Sequence, residues 1–379
     1  MNKRAIAILG AIFILIVATL GFLIYSRSNS DSNDNTNTPA DVPVDVPIVE
    51  TPETPIIPEE PVSTAVRLTD EPVVSPILFY QGNGISYFNG QGQLFQTDLQ
   101  DGDSAALLSN KRELSIALKG NITKILWPQA GNSFIAEFGS TQKPNWSFYD
   151  SGKAAYVDIP QQVYSLDWLP GGDRILFTWV DSTGKATLNE GNPDTTDYRT
   201  LTDLYEPDNV ISVSPDGKNV LFYRTQTVDT TKNTINMVSS DGLVFTSVVK
   251  DGFNTGVKWS PDSLKFLFTK RDSGTQTQNL WMADITTGQL TSLGVSTSIS
   301  KVAWSRDSQT VFAGVPVSGV AGQGLTQDTL YKIAVPSGSQ KKYEPGLTVD
   351  AQNLFLNTSE SILFFRNAQD NSLYYIPVN

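Results

Sequence analysis

The chain has 379 residues, 39% of them hydrophobic, enough for one large domain or two ordinary ones. It holds no cysteine and no histidine, which excludes disulfides, thiolate or His-ligated metal sites, and Ser-His-Asp or Cys-His catalysis. A net charge of −12 argues against a nucleic-acid partner, whose phosphates attract clustered Lys and Arg.

At the N-terminus, Ala5 to Tyr25 is a run of 21 residues without a charge. As a helix rising ~1.5 Å per residue it spans roughly 31 Å, the thickness of a bilayer core. It is longer than the apolar segment of a signal peptide, and no small-x-small cleavage site follows. Residues 1–27 therefore read as an uncleaved transmembrane anchor. Lys3 and Arg4 precede the span, whereas Arg27 is followed by acids, which puts the N-terminus in the cytoplasm and the rest of the chain outside.

Residues 28–62 carry eight acids and no base. The first part, SNSDSNDNTNT, has nothing to bury, and the second is punctuated by Pro39, Pro43, Pro47, Pro52, Pro55, Pro58 and Pro61. This composition predicts an extended linker. At ~3.1 Å per residue it would reach on the order of 100 Å. Its PxxP spacings read as spacer rather than as SH3 ligands.

From Ser63 the text is all-β. Short runs such as RILFTW, NVLFYR, KFLFTK and ILFFRN recur between Gly, Asp, Asn and Ser. Four segments align: SLDWLPGGDRILFTW, VISVSPDGKNVLFYR, GVKWSPDSLKFLFTK and KVAWSRDSQTVFAGV. Their shared position is Trp168, Val213, Trp259 and Trp304, at spacings of 45, 46 and 45 residues, and a fainter copy puts Trp127 41 residues before Trp168. Degenerate copies near 73–79 and 350–356 complete the set. A third strand follows each copy (QLFQTDL, NLWMADI, TLYKIAV, SLYYIPV) and usually a fourth. Four strands in such a period is the arithmetic of a β-propeller blade.

Counting inner strands predicts seven four-stranded blades over residues 63–379, with six or eight as alternatives. The last blade lacks a fourth strand, and Thr64–Asp70 is expected to supply it. For the first blade either AALLS or LSIAL could be the outer strand. In S-P-D-G, Pro215 fixes φ, Asp216 bonds locally and Gly217 accepts positive φ; Pro261 and Asp262 repeat the first two. The Trp row reads as packing between blades rather than as a sugar-stacking surface.

The W-S-P-D-G-x-x-h-h-F pattern at 259–268 and 213–222 resembles the WD40-like repeats of TolB-type propellers, and is similar to those of prolyl oligopeptidase-like enzymes. The resemblance covers about residues 63–379 and implies the fold, not a function. Neither the α/β domain of TolB nor a hydrolase domain accompanies the repeats here, so TolB's partners do not carry over.

Chemistry is sparse. Gly82–Gly84 and Gly90–Gly92 lack the helix that a phosphate loop needs and read as hairpin turns. Asp98, Asp101 and Asp103 resemble a calcium loop but lack its distal Glu, leaving calcium a weak option beside no cofactor at all. Asp167, Asp208 and Asp350 stand beside inner strands and are the carboxylates a His-independent glycan hydrolase or lyase would use. The main reading is a non-catalytic scaffold outside the cytoplasm, binding another envelope or surface protein or a glycan. The connections between second and third strands share one face and are long: Thr225–Lys232 with Asp229, Arg271–Gln278 with Asp272 and Gln276, and Val315–Gln327 with Val317 and Gln323. Long loops on one face mark it as the expected binding face.

Overall fold

The computed structural model describes residues 64–379 apart from 80–83, 103–104, 115, 117–118, 121, 140–143, 205, 225–231, 272–273, 276 and 336. The anchor at 5–25, the linker, Gly82 and Asp103 lie outside the described residues. Among those described, no helix is long and apolar enough to cross a membrane.

The described chain is all-β, broken only by a 3-10 turn at Ile299–Lys301. It forms five antiparallel four-stranded sheets and one of seven strands. Four strands laid down in sequence order make up each of the units 73–114, 122–158, 163–204 and 302–343. The seven-stranded sheet holds two such units, sharing the 15-residue strand Phe245–Trp259. That strand pairs through Phe245–Val249 and Gly252 with the strand before it, and through Phe253–Trp259 with the strand after it. The sequence placed an inner strand at 255–259; it continues directly from the preceding outer strand. The strand expected at 299–304 begins only at Val302, because the 3-10 turn takes up residues 299–301. In the N-terminal unit the outer strand is Ala106–Leu114, which settles the choice in favour of AALLS.

The last unit closes on the beginning of the chain. Val66–Arg67 pairs with Leu373–Pro377 in the register Val66↔Tyr375 and Arg67↔Tyr374. Leu68 N–H donates to Leu373 O at 2.8 Å, and Leu373 N–H donates to Thr69 Oγ1 at 3.0 Å. The expected contribution of Thr64–Asp70 is therefore made by a two-residue strand and its flanks. Without it, the last sheet would present an open edge.

The second strand of each unit is buried on both faces, as in Ile175–Val180, Asn219–Arg224 and Ile362–Asn367. This is why those runs read as continuous apolar text instead of alternating. Outer strands such as Gln340–Tyr343 bury one residue in four and stay polar. The core is accordingly divided into clusters lying between consecutive units. One joins Ile135, Trp168, Ile175 and Phe177; another joins Val73, Ile85 and Tyr87 of the N-terminal unit to Ile362, Phe364 and Leu373 of the last.

The Trp positions stitch these interfaces. Each indole N–H donates to a backbone carbonyl of the preceding unit's inner strand: Trp127 to Ser75 at 2.9 Å, Trp168 to Leu126 at 2.9 Å, Trp259 to Ser212 at 3.0 Å and Trp304 to Lys258 at 3.3 Å. Where Val213 replaces Trp, its own N–H donates back to Asp167 Oδ2 at 2.9 Å. Buried indoles with a satisfied N–H serve packing between sheets.

The turn after three of the inner strands repeats in atomic detail. Ser214, Ser260 and Ser305 donate to Asp216, Asp262 and Asp307, whose Oδ1 atoms accept the backbone N–H two residues on. The positive φ expected of Gly217 recurs at Ser263, Ser308 and Glu360, so glycine is not obligatory there. The neighbouring unit explains the difference. A Cβ at Gly217 would stand 2.7 Å from Pro170 Cδ, whereas Ser263 Oγ accepts the Asp216 N–H at 3.0 Å. A hydrogen bond to the next sheet offsets the strain of a left-handed serine.

Candidate functional site

Second-to-third connections and the links from one unit to the next converge on one face. The structure shows this directly where Lys301, Thr326, Asp328 and Asp350 meet. Lys301 ends the 3-10 turn leading into Val302–Trp304, Thr326 and Asp328 flank the start of Gln327–Ala334, and Asp350 precedes Ala351–Leu356. Lys301 Nζ lies 2.6 Å from Asp328 Oδ2, 2.7 Å from Asp350 Oδ1 and 2.5 Å from Thr326 Oγ1. Lys301, Asp328 and Asp350 are at most 2% exposed. Each carboxylate has further donors: Thr326 Oγ1 and Ala351 N–H for Asp328, Gln352 Nε2 and Thr326 N–H for Asp350. Charges this deep persist only when fully paired and hydrogen-bonded. Burial would raise the Asp350 carboxyl, but Lys301 and Gln352 outweigh it and hold it below the usual range.

This cluster pins the loop that the sequence singled out. Val315–Gln327 was expected to be a 13-residue loop, yet strands run on to Ser318 and resume at Gln327, leaving Gly319–Thr326. The extra pairing joins Val315 to Thr329 and Ser318 to Gln327, with Val315 half-buried against the cluster that holds Val302 and Trp304. Thr326 fastens the loop at one end. At its turn, Gln323 N–H donates to Val320 O, and Gly322 sits so close to Gln278 of the preceding unit that a Cβ would stand 2.8 Å from Gln278 Nε2. The held loop presents Val320 and Leu325 to solvent, with Val317 and Leu347 exposed nearby. Val317, Gln327, Thr329, Glu344 and Leu347 line a cavity of about 310 Å³ beside it.

The other expected loop residues divide as follows. Arg271 ends the strand Lys265–Arg271, paired opposite Gln278, and so belongs to the same face as Gly319–Thr326. Lys232 is exposed just ahead of Asn233–Ser239. Thr225, Asp229, Asp272 and Gln276 lie outside the described residues.

The three carboxylates proposed for a funnel are each occupied elsewhere. Asp350 belongs to the buried cluster. Asp208 Oδ1 is 2.7 Å from Arg224 Nε. Asp167 receives the N–H groups of Val213 and Trp168, and burial pushes its carboxyl up to about 6 against those donors. Among the described residues, no group of three or more Asp and Glu converges to hold a metal ion. Gly92 N–H closes back on Asn89 O, as a hairpin turn does.

A larger cavity, about 540 Å³, opens on the face of the first-to-second turns. It is lined by Ile77, Ser86 and Leu114 of unit 73–114, Trp127 of unit 122–158 and Arg306 of unit 302–343. No local pattern announces it, since its walls come from segments far apart in the chain.

No family model and no curated protein matches the chain. Solved structures do. The β-propeller domain of Myceliophteria thermophila Cps50 (Swd1) superposes with a TM-score of 0.58 at 13% identity, covering 83% of this chain and all of that one. Oligogalacturonate lyase from Vibrio parahaemolyticus gives 0.57 at 10% identity, covering 83% and 93%. Hydrazine synthase from Kuenenia stuttgartiensis gives 0.54 at 10% identity, covering 82% and 97%. The fold is a β-propeller. At such identities the likeness carries the fold alone, and three unlike relatives leave function to the site.

Proposed function

We propose that this chain is a non-catalytic binding scaffold: a seven-bladed, WD40-like propeller of TolB type, held outside the cytoplasm by residues 5–25 on the linker 28–62. Its partner is another envelope or surface protein. The carrying observation is the loop Gly319–Thr326, fixed at Thr326 to a buried ion cluster while offering Val320 and Leu325 to solvent. A loop held rigid loses little entropy on binding, and exposed aliphatic side chains beside a small cavity favour a protein over a glycan. Counting the shared strand Phe245–Trp259 in two units supports the reading of seven blades, as does the cluster that joins the last unit to the first. The competing reading, a His-independent glycan hydrolase or lyase, needs two carboxylates free to act; Asp167, Asp208 and Asp350 are engaged in separate bonds.

The test is capture from native membranes by the full chain and by a chain in which a four-residue turn replaces Gly319–Leu325 and Thr326 is kept. Loss of a specific partner with unchanged melting supports the proposal. Capture at full strength refutes this loop as the site. Resistance to alkaline carbonate extraction is expected of the anchor, and a soluble product starting after Arg27 would refute it.

A further inference from the structure

Lys301 is surrounded by hydrogen-bond acceptors inside the protein. Nζ touches two carboxylates and one hydroxyl, all enclosed: the side chains of Lys301, Asp328 and Asp350 are 1%, 0% and 2% exposed. Gly314 makes room, since a Cβ there would stand 3.2 Å from Asp328 Oδ2 and from Ala351 Cβ. Asp350 Oδ1, 2.7 Å from Nζ, is placed to receive a proton from that nitrogen. Asp328 Oδ2 accepts the Ala351 N–H at 2.8 Å, the donor that an oxyanion forming on that atom needs. Asp328 Oδ1 accepts from Thr326 Oγ1 at 2.7 Å, and Thr326 Oγ1 in turn accepts from Lys301 Nζ.

We propose that Lys301 and Asp328 are condensed in the folded protein into an intramolecular amide bond, with Asp350 as the proton acceptor. One proton passes from Nζ along the Thr326 hydroxyl to Asp328 Oδ1, converting the ion pair into a neutral amine and a neutral acid. The nitrogen lone pair then attacks Asp328 Cγ, the C–N bond forms, and Oδ2 carries the negative charge against the Ala351 N–H. Asp350 takes one of the two protons left on nitrogen, the other passes by the Thr326 hydroxyl to Oδ1, and Asp350 hands its own back to nitrogen. The C–Oδ1 bond breaks and that oxygen leaves as water. An ammonium and a carboxylate have become an amide and one water, and Asp350 ends as it began. Fixed contact between the reacting groups replaces the activation such a bond otherwise requires. The product ties the 3-10 turn to the far end of the loop Gly319–Thr326, so this face would be covalently braced.

Intact mass of the full chain, unfolded in denaturant, tests this. It is compared with a Lys301→Arg chain, which cannot form the bond, so that N-terminal processing cancels. The wild-type chain should fall short of its sequence mass by one water, about 18 Da. Fragmentation should place the loss on a branched species joining Lys301 to Asp328. Asp350→Asn, which keeps both reacting groups, should restore the full mass. A wild-type chain at its full sequence mass, or a water lost elsewhere in the chain, overturns the bond. Persistence of the loss in Asp350→Asn overturns the role of Asp350.

Discussion

Replacing Asp167 with Asn would test whether the inner strands are held by a carboxyl that prefers to keep its proton. In the fold Asp167 joins two units, accepting the Val213 N–H at 2.9 Å on one oxygen and the Trp168 N–H at 2.9 Å on the other. Burial raises its pKa from 3.8 to about 6, although these donors and the charge of Lys124 act against the rise. A folded-state pKa above the unfolded one means that the native protein holds the proton more tightly. The contribution is fully present below pH 4 and is lost as pH rises towards 6 and beyond. At 1.36 kcal/mol per pH unit the loss amounts to about 3 kcal/mol at most, and less to the extent that water reaches the group. Asn keeps an acceptor for Val213 and cannot ionise. The stability of Asp167→Asn relative to wild type should therefore climb by about 2–3 kcal/mol between pH 4 and pH 7. Urea unfolding of both proteins at pH 4, 5, 6 and 7 measures it, and the difference cancels the other carboxylates. A difference flat with pH would refute the reasoning and mean that Asp167 is ionised and well solvated throughout.

Trp259→Phe should cost about 1 kcal/mol, the net worth of the bond to Ser212 O, whereas Trp259→Ala should cost about 3–5 kcal/mol; a Phe variant as stable as wild type in urea unfolding would mean that the indole N–H contributes nothing. Ser263→Ala keeps the left-handed φ and loses the acceptor of the Asp216 N–H, so it should destabilise by about 1–2 kcal/mol, while Ser263→Gly relieves the strain and should cost less. Deleting residues 64–70 should lower the melting temperature sharply or abolish soluble expression, and an unchanged curve would show that pairing of the chain ends is dispensable. Val320→Ser with Leu325→Ser should leave melting unchanged and weaken partner capture at least tenfold, since both side chains are exposed and contribute to binding rather than to the core.

Much of the fold is determined by local text. The spacing from Trp127 to Trp304 sets the period, S-P-D turns follow from short polar side chains bonding their own backbone, and the doubly buried second strands announce themselves as unbroken apolar runs. Even the closing strand was legible, because a last unit with three strands demands a fourth and only Thr64–Asp70 was left to supply it. What the tertiary structure alone decided lies between the sheets. Each Trp N–H finds a carbonyl more than 40 residues away, and no local pattern encodes which one. The extension of the strand to Ser318 comes from pairing with Gln327–Ala334, with Val315 packed against the core cluster of its unit. Ser263 accepts a left-handed φ because the neighbouring Asp216 N–H needs an acceptor. Lys301, Asp328 and Asp350 stand 27 and 22 residues apart, and the sequence singled out only Asp350, as a carboxylate beside an inner strand. Stacking one sheet on the next removes water from all three at once and brings them within bonding reach of one another, which no local pattern encodes.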